Sequence, residues 1–150
     1  MKRILQISTG LTLGLVVTLG AVAQVKPEVL VKQRQAKMIL QGKYFGPMAA
    51  IAQGKAPYNA GLVQRNAGFL DNLTRMAWDG YDPSTRNAQS RTLPSTYDNM
   101  AKFKEYGDRL ENQVSQLVTL SKGSDEGAVK AQIGAIGKTC GGCHKDFRSD

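Results

Sequence analysis

The sequence predicts an all-α fold, an antiparallel four-helix bundle. Apolar residues recur at steps of three and four through four stretches of about 20 residues each. No run alternates at the period of two that a half-buried strand requires. Two short connections and one longer polar one separate the stretches, as expected when each helix packs against its chain neighbour.

The chain opens Met1-Lys2-Arg3, runs through an apolar segment from Leu11 to Leu19 and reaches Ala21-Val22-Ala23 before Gln24. A basic start, a short apolar run and an A-x-A site make residues 1–23 a secretory signal peptide, with cleavage expected after Ala23. The run is too short and wrongly flanked for a membrane span. Residues 24–150 are therefore expected as one exported domain, without a span once the leader is gone.

The first helix is expected from Pro27, which a first turn accepts, to about Gly54. Val31, Met38, Phe45 and Ala52 recur every seven residues; with Arg34, Gln41 or Gly42, and Met48 or Ala49 between them they form its buried stripe. Arg34 lies on that stripe and needs a buried partner. Gly46-Pro47 predicts a kink. Asn59 is the expected N-cap of the second helix, which should run to about Trp78 and bury Leu62, Asn66 or Phe69, Leu70, Leu73 and Ala77. From Asp79 to Pro94 no apolar period appears, so this is the long connection, of a length usually functional or mobile.

Met100, Phe103, Gly107, Leu110, Val114 and Leu117 give the clearest helical stripe, ending near Gly123, with Ser124 or Asp125 capping the next helix. In the fourth helix Val129, Ile133, Ile136, Cys140, Cys143 and Phe147 continue the same spacing. Two cysteines thus occupy core positions. Gly134 and Gly137 read as points of close helix packing.

Cys140-Gly141-Gly142-Cys143-His144 contains every Cys and His of the chain. C-x-x-C-H is the attachment sequence of c-type haem, in which the sulfurs bond to the vinyl groups and the imidazole ligates iron. Positions i, i+3 and i+4 share a helix face, so one segment can hold a flat macrocycle and supply its proximal ligand. Other readings compete. A dithiol oxidoreductase would use the same pair but belongs in a βαβ setting, of which the sequence gives no sign. Zinc would need about four ligands. A disulfide between such near neighbours would close too small a loop to stabilise much. The expected cofactor is one covalently attached haem c. Its attachment takes place outside the bacterial cytoplasm, so leader and motif agree on the periplasm.

The formal charge is +8, of which the leader's Lys2 and Arg3 account for two. Lys and Arg are scattered rather than clustered, which argues against a nucleic-acid partner. They leave a basic surface able to steer acidic redox partners.

The chain resembles the class II cytochromes c, comprising cytochromes c-prime and the low-spin cytochromes c556. The resemblance spans the mature chain. It rests on Lys26-Pro27-Glu28, Arg34-Gln35-Ala36-Lys37-Met38, Gly54-Lys55-Ala56-Pro57-Tyr58, Trp78, Leu93-Pro94, and Gly137 to Arg148 around the C-x-x-C-H motif. It implies one haem inside the bundle, with Cys140 and Cys143 as thioether attachments and His144 as proximal ligand. It also implies Arg34 and Gln35 beside the haem, Arg34 paired with a propionate, Arg148 beside the proximal histidine, and Ser90 and Arg91 at the haem edge. Tyr97 stands where the family often has Trp, which leaves the start of the third helix open.

The resemblance places Met38 at the distal position. Either its thioether is the sixth ligand of a low-spin, one-electron carrier, or it is an apolar lid over a five-coordinate iron open to nitric oxide and carbon monoxide. The resemblance further implies periplasmic redox partner proteins and a homodimer packed through the first two helices, and Tyr44, Met48, Leu62 and Val63 either serve that surface or complete the monomer core. A protein of this kind is not expected to be an enzyme.

Overall fold

Residues 25–150 are described in a computed structural model. The leader and its cleavage site lie outside them. Helix α1 spans Pro27–Ala52, α2 Ala60–Thr74, α3 Ser95–Asp98, α4 Met100–Leu120 and α5 Glu126–Phe147, and two 3-10 turns, Asp79–Tyr81 and Pro83–Thr85, lie in the long connection. The four long helices close a ring, with α1 packed on α2 and α5, and α4 on the same two. This is the antiparallel four-helix bundle that the periodicity requires, with α3 a single added turn. None of the described helices is long and apolar enough to cross a membrane.

The caps follow the sequence. Asn59 accepts a hydrogen bond from Leu62 N at 2.9 Å, and Asp125 accepts one from Ala128 N at 2.9 Å. Gly54, at φ 71°, takes the left-handed conformation that closes α1. Pro47 is carried inside one continuous α1, and no break occurs at Gly46-Pro47. Both residues are exposed, so the carbonyl that Pro47 leaves without a donor can turn to water.

The bundle has two unlike ends. At one, Met48, Ile51, Val63, Val114, Leu117, Val129 and Ile133 are almost completely buried and form a closed apolar core. At the other, the helices part around a cavity, and the buried face of α1 turns polar with Arg34, Lys37 and Gln41. That inner face is Val31, Arg34, Lys37, Gln41, Met48 and Ile51, while Phe45 and Ala52 of the expected stripe are only half-buried.

Two further expectations are corrected, and one open choice is decided. Helix α2 ends at Thr74, short of Trp78, and buries Val63, Asn66, Ala67, Leu70 and Thr74; Phe69 and Ala77 are exposed. Of the two roles open to Met48 and Val63, complete burial within the monomer assigns them the core. Gly134 is not a point of close packing, since a methyl group there would meet nothing within 4 Å, whereas one at Gly137 would meet the Phe45 ring at 3.5 Å.

Candidate functional site

Helix α5 carries Cys140, Cys143 and His144 on one side because its apolar period runs straight through them: Ile136, Thr139 and Phe147 on the same side are buried. All three line a cavity of about 600 Å³, within the ~300–1,000 Å³ of clefts that enclose cofactor-sized ligands. Met38, Gln41 and Phe45 line it from α1, Leu70 from α2, and Phe103, Tyr106 and Leu110 from α4. Trp78 and Tyr81 close it from the long connection. Its aromatic wall is interlocked: Phe103 meets Trp78 and Phe147 edge-on at 5.5 Å each, and Tyr81 at 4.5 Å.

Of the residues singled out in the sequence, Arg34, Gln35, Met38, Ser90, Arg91, Cys140, Cys143, His144 and Arg148 all line this one cavity. Gln35, Arg91 and Arg148 are exposed and mark its mouth; Met38 and Ser90 are half-buried. The segment bearing Ser90 and Arg91 is held against the end of α5. Leu93 N donates to Phe147 O at 2.9 Å, Ser149 N to Arg91 O at 2.8 Å, and the Arg91 guanidinium to Ser149 O.

Arg34 is buried, as its place on the stripe requires, but its protein partners are neutral. Its Nη1 lies 2.7 Å from Gly80 O, 2.9 Å from Thr85 Oγ1 and 3.0 Å from Tyr97 OH, and Nη2 donates to Ser90 Oγ at 3.0 Å. It forms no ion pair with a carboxylate among the described residues. Tyr97, which leaves the third helix open in the sequence, ties α3 to α1 through this guanidinium.

The electrostatics oppose dithiol chemistry. Burial pushes the Cys143 thiol up to about 11, with Cys140 and Asp146 adding to the shift, and burial also raises Cys140. A redox pair needs the reverse, a stabilised thiolate. Burial, then Arg148 and Arg91, lowers His144, which favours the neutral imidazole that binds metal. No group of three or more His, Cys, Asp or Glu side chains that could hold a metal ion gathers among the described residues, so a zinc site built from them would lack its ligand set.

Sequence reasoning misses three cavity neighbours. Gln41 enters the stripe only as an alternative to Gly42, and its Nε2 finds no hydrogen-bond partner among the described residues. Lys37 is buried against Trp78, and Tyr81 lies inside an aperiodic loop that gives no reason to single it out. Polar residues turned inward carry no apolar signal.

A large cavity walled by aromatic rings, with two thiols and an imidazole at i, i+3 and i+4, fits a covalently held haem. Fold and site together define a monohaem c-type cytochrome of the four-helix-bundle class. Residues 29–148 match the family model described as cytochrome c', and the chain belongs to that family. A cytochrome c' from Rubrivivax gelatinosus is 31% identical over 124 residues, covering 82% of this chain and 96% of that protein. A cytochrome c-556 from Agrobacterium tumefaciens is 26% identical, over 79% of this chain and 95% of its own length. Among solved structures, a nitric oxide complex of a mutant cytochrome c prime from Alcaligenes xylosoxidans superposes with a TM-score of 0.76 at 28% identity, covering 85% of this chain and 98% of that one.

Proposed function

We propose that the protein is an exported, periplasmic one-electron carrier whose haem is bonded through Cys140 and Cys143 and ligated by His144. One observation carries this reading: both thiols and the imidazole line one haem-sized cavity from a single helix. Bound there, the haem supplies one reversibly exchanged electron.

The chain supplies the setting. The aromatic wall of Trp78, Tyr81, Phe103 and Phe147 excludes water. Arg34, with no carboxylate partner among the described residues, keeps its charge for a haem propionate, through charge-assisted hydrogen bonds. Arg91 and Arg148 at the mouth present positive charge to an acidic redox partner, whose association should slow as salt rises. A homodimer fits the same reading if it uses exposed Leu40 and Phe69 rather than the buried Met48 and Val63.

A second reading is favoured by Gln41. Close to Met38, the cavity contains a buried amide donor with no protein partner among the described residues, a feature suited to a small ligand rather than to a purely electron-carrying site. Nitric oxide and carbon monoxide are the gases concerned, with Met38 as a movable lid. Optical and EPR spectra with and without carbon monoxide separate the two. A low-spin spectrum that the gas leaves unaltered makes Met38 the sixth ligand and the protein a carrier alone. A high-spin spectrum with ready binding makes Met38 a lid. Protein matured with its attachment machinery that lacks a Soret band would overturn both and leave the dithiol chemistry.

A further inference from the structure

Gln41 is 8% exposed, its Nε2 is buried without a partner among the described residues, and it lines the cavity. A buried amide left unpaired is expensive, so such a donor stands where something else completes it. Helix geometry narrows what that is. Gln41 lies three residues beyond Met38, on the same face of α1, and seven beyond Arg34, about 10 Å along the axis. Arg34, Ser90 and Arg91 gather the charge and hydroxyl groups suited to propionates at the Arg34 end. Gln41 lies about two helical turns from that end, and the cavity wall it shares includes the apolar Phe45, Leu70, Leu110 and Ile136. It also lines the cavity from α1, whereas His144 lines it from α5.

We propose that Gln41 is a specificity-determining residue: its amide donates a hydrogen bond to a small ligand carrying negative charge on its outer atom, bound on the face of the haem away from His144. This inference deepens the second reading above and rests on it. A neutral N–H in an apolar surrounding discriminates by polarity. It strengthens binding of cyanide or of a strongly polarised diatomic, and does little for carbon monoxide, whose outer oxygen carries little charge. The donor also explains its own burial, since it becomes satisfied only in the liganded protein.

The test uses holoprotein with Gln41→Met, which keeps the volume and removes the donor. Cyanide affinity of the ferric protein should fall about tenfold or more, the scale of one hydrogen bond to a charged acceptor. Carbon monoxide affinity of the ferrous protein should change less than about twofold, by the same reasoning. The carbonyl stretch should move to higher wavenumber, a readout independent of affinity. The ligand-free variant should melt above wild type, because the unpaired amide is gone, and that advantage should vanish with cyanide bound. Equal cyanide affinities with an unmoved carbonyl stretch would overturn the proposal. If wild type takes up neither ligand, the open-site reading fails, and the same comparison in a Met38→Ala background, where the sixth position is accessible, decides Gln41 alone. An unmoved stretch there overturns it as well.

Discussion

The Lys37 ammonium sits 3.7 Å from the centroid of the Trp78 ring and donates to Met76 O at 2.8 Å. A cation over an aromatic face is attractive, yet burial lowers the Lys37 pKa to about 8, against the pull of Asp79 and Glu111. Desolvation therefore outweighs the attraction of the two carboxylates. Lys37→Met, similar in length and apolar, should stabilise the protein by about 1 kcal/mol at neutral pH. Chemical denaturation measures it; a loss of stability would mean that the ring contact and the Met76 bond outweigh burial.

Arg34 ties α1 to the long connection through Gly80, Thr85 and Ser90, and to α3 through Tyr97. Arg34→Ala should cost roughly 3 kcal/mol, since it leaves buried acceptors without their donor, and, with the proposed haem in the cavity, should shift its reduction potential by removing a charge from the cavity wall. Arg34→Lys should not restore stability, because one ammonium cannot span four acceptors. Limited proteolysis within residues 79–94 should quicken in both variants. A potential that does not move in Arg34→Ala would mean that the charge is not coupled to the haem.

What the sequence makes legible follows from which side chains form the inner faces. Where they are apolar, as along α4 and α5, period alone locates the helices, their caps and the cysteines on the core side. In α1 the inner face is polar opposite the cavity, so the apolar period points to Phe45 and Ala52 and passes over Lys37 and Ile51. Helix α2 carries two apolar stripes one residue apart, Leu62-Phe69-Leu73 and Val63-Ala67-Leu70, and only its neighbours choose between them. Its early end has a similar origin, because Trp78 lies outside the helix, under the Lys37 ammonium and edge-on to Phe103. The haem-attachment motif needs no packing information, whereas the partners of Arg34 lie 46 to 63 residues away and can only be seen folded.

Tyr81 gives the protein an alkaline limit. Burial pushes its phenol up to about 12, while Arg34, 4.7 Å from the ring, opposes the shift. Its ordinary value is near 10. Between those values the folded chain keeps the proton and the unfolded chain loses it, so stability falls as pH rises through that window. Denaturation at pH 9, 10 and 11 should show this decline, and Tyr81→Phe should flatten it. An identical slope in the variant would mean that Tyr81 ionises freely in the folded protein.

Two glycines of the bundle should respond to alanine with opposite signs. Gly134 is exposed on α5 and a methyl there meets nothing within 4 Å, so Gly134→Ala gains helix propensity alone, about 1 kcal/mol. At Gly107 the same methyl would lie 3.3 Å from Trp78 Cε2 and 3.4 Å from its Nε1. The indole has little room to yield, with Lys37 on its face and Phe103 at its edge. Overpacking of this kind costs ~1–3 kcal/mol, so Gly107→Ala should be destabilising on balance despite its better propensity. It should also alter the haem spectrum, because Trp78 is cavity wall, whereas Gly134→Ala should leave the spectrum unchanged. Thermal melts and absorption spectra of the two variants test this, and a stabilised Gly107→Ala would show that Trp78 is free to move.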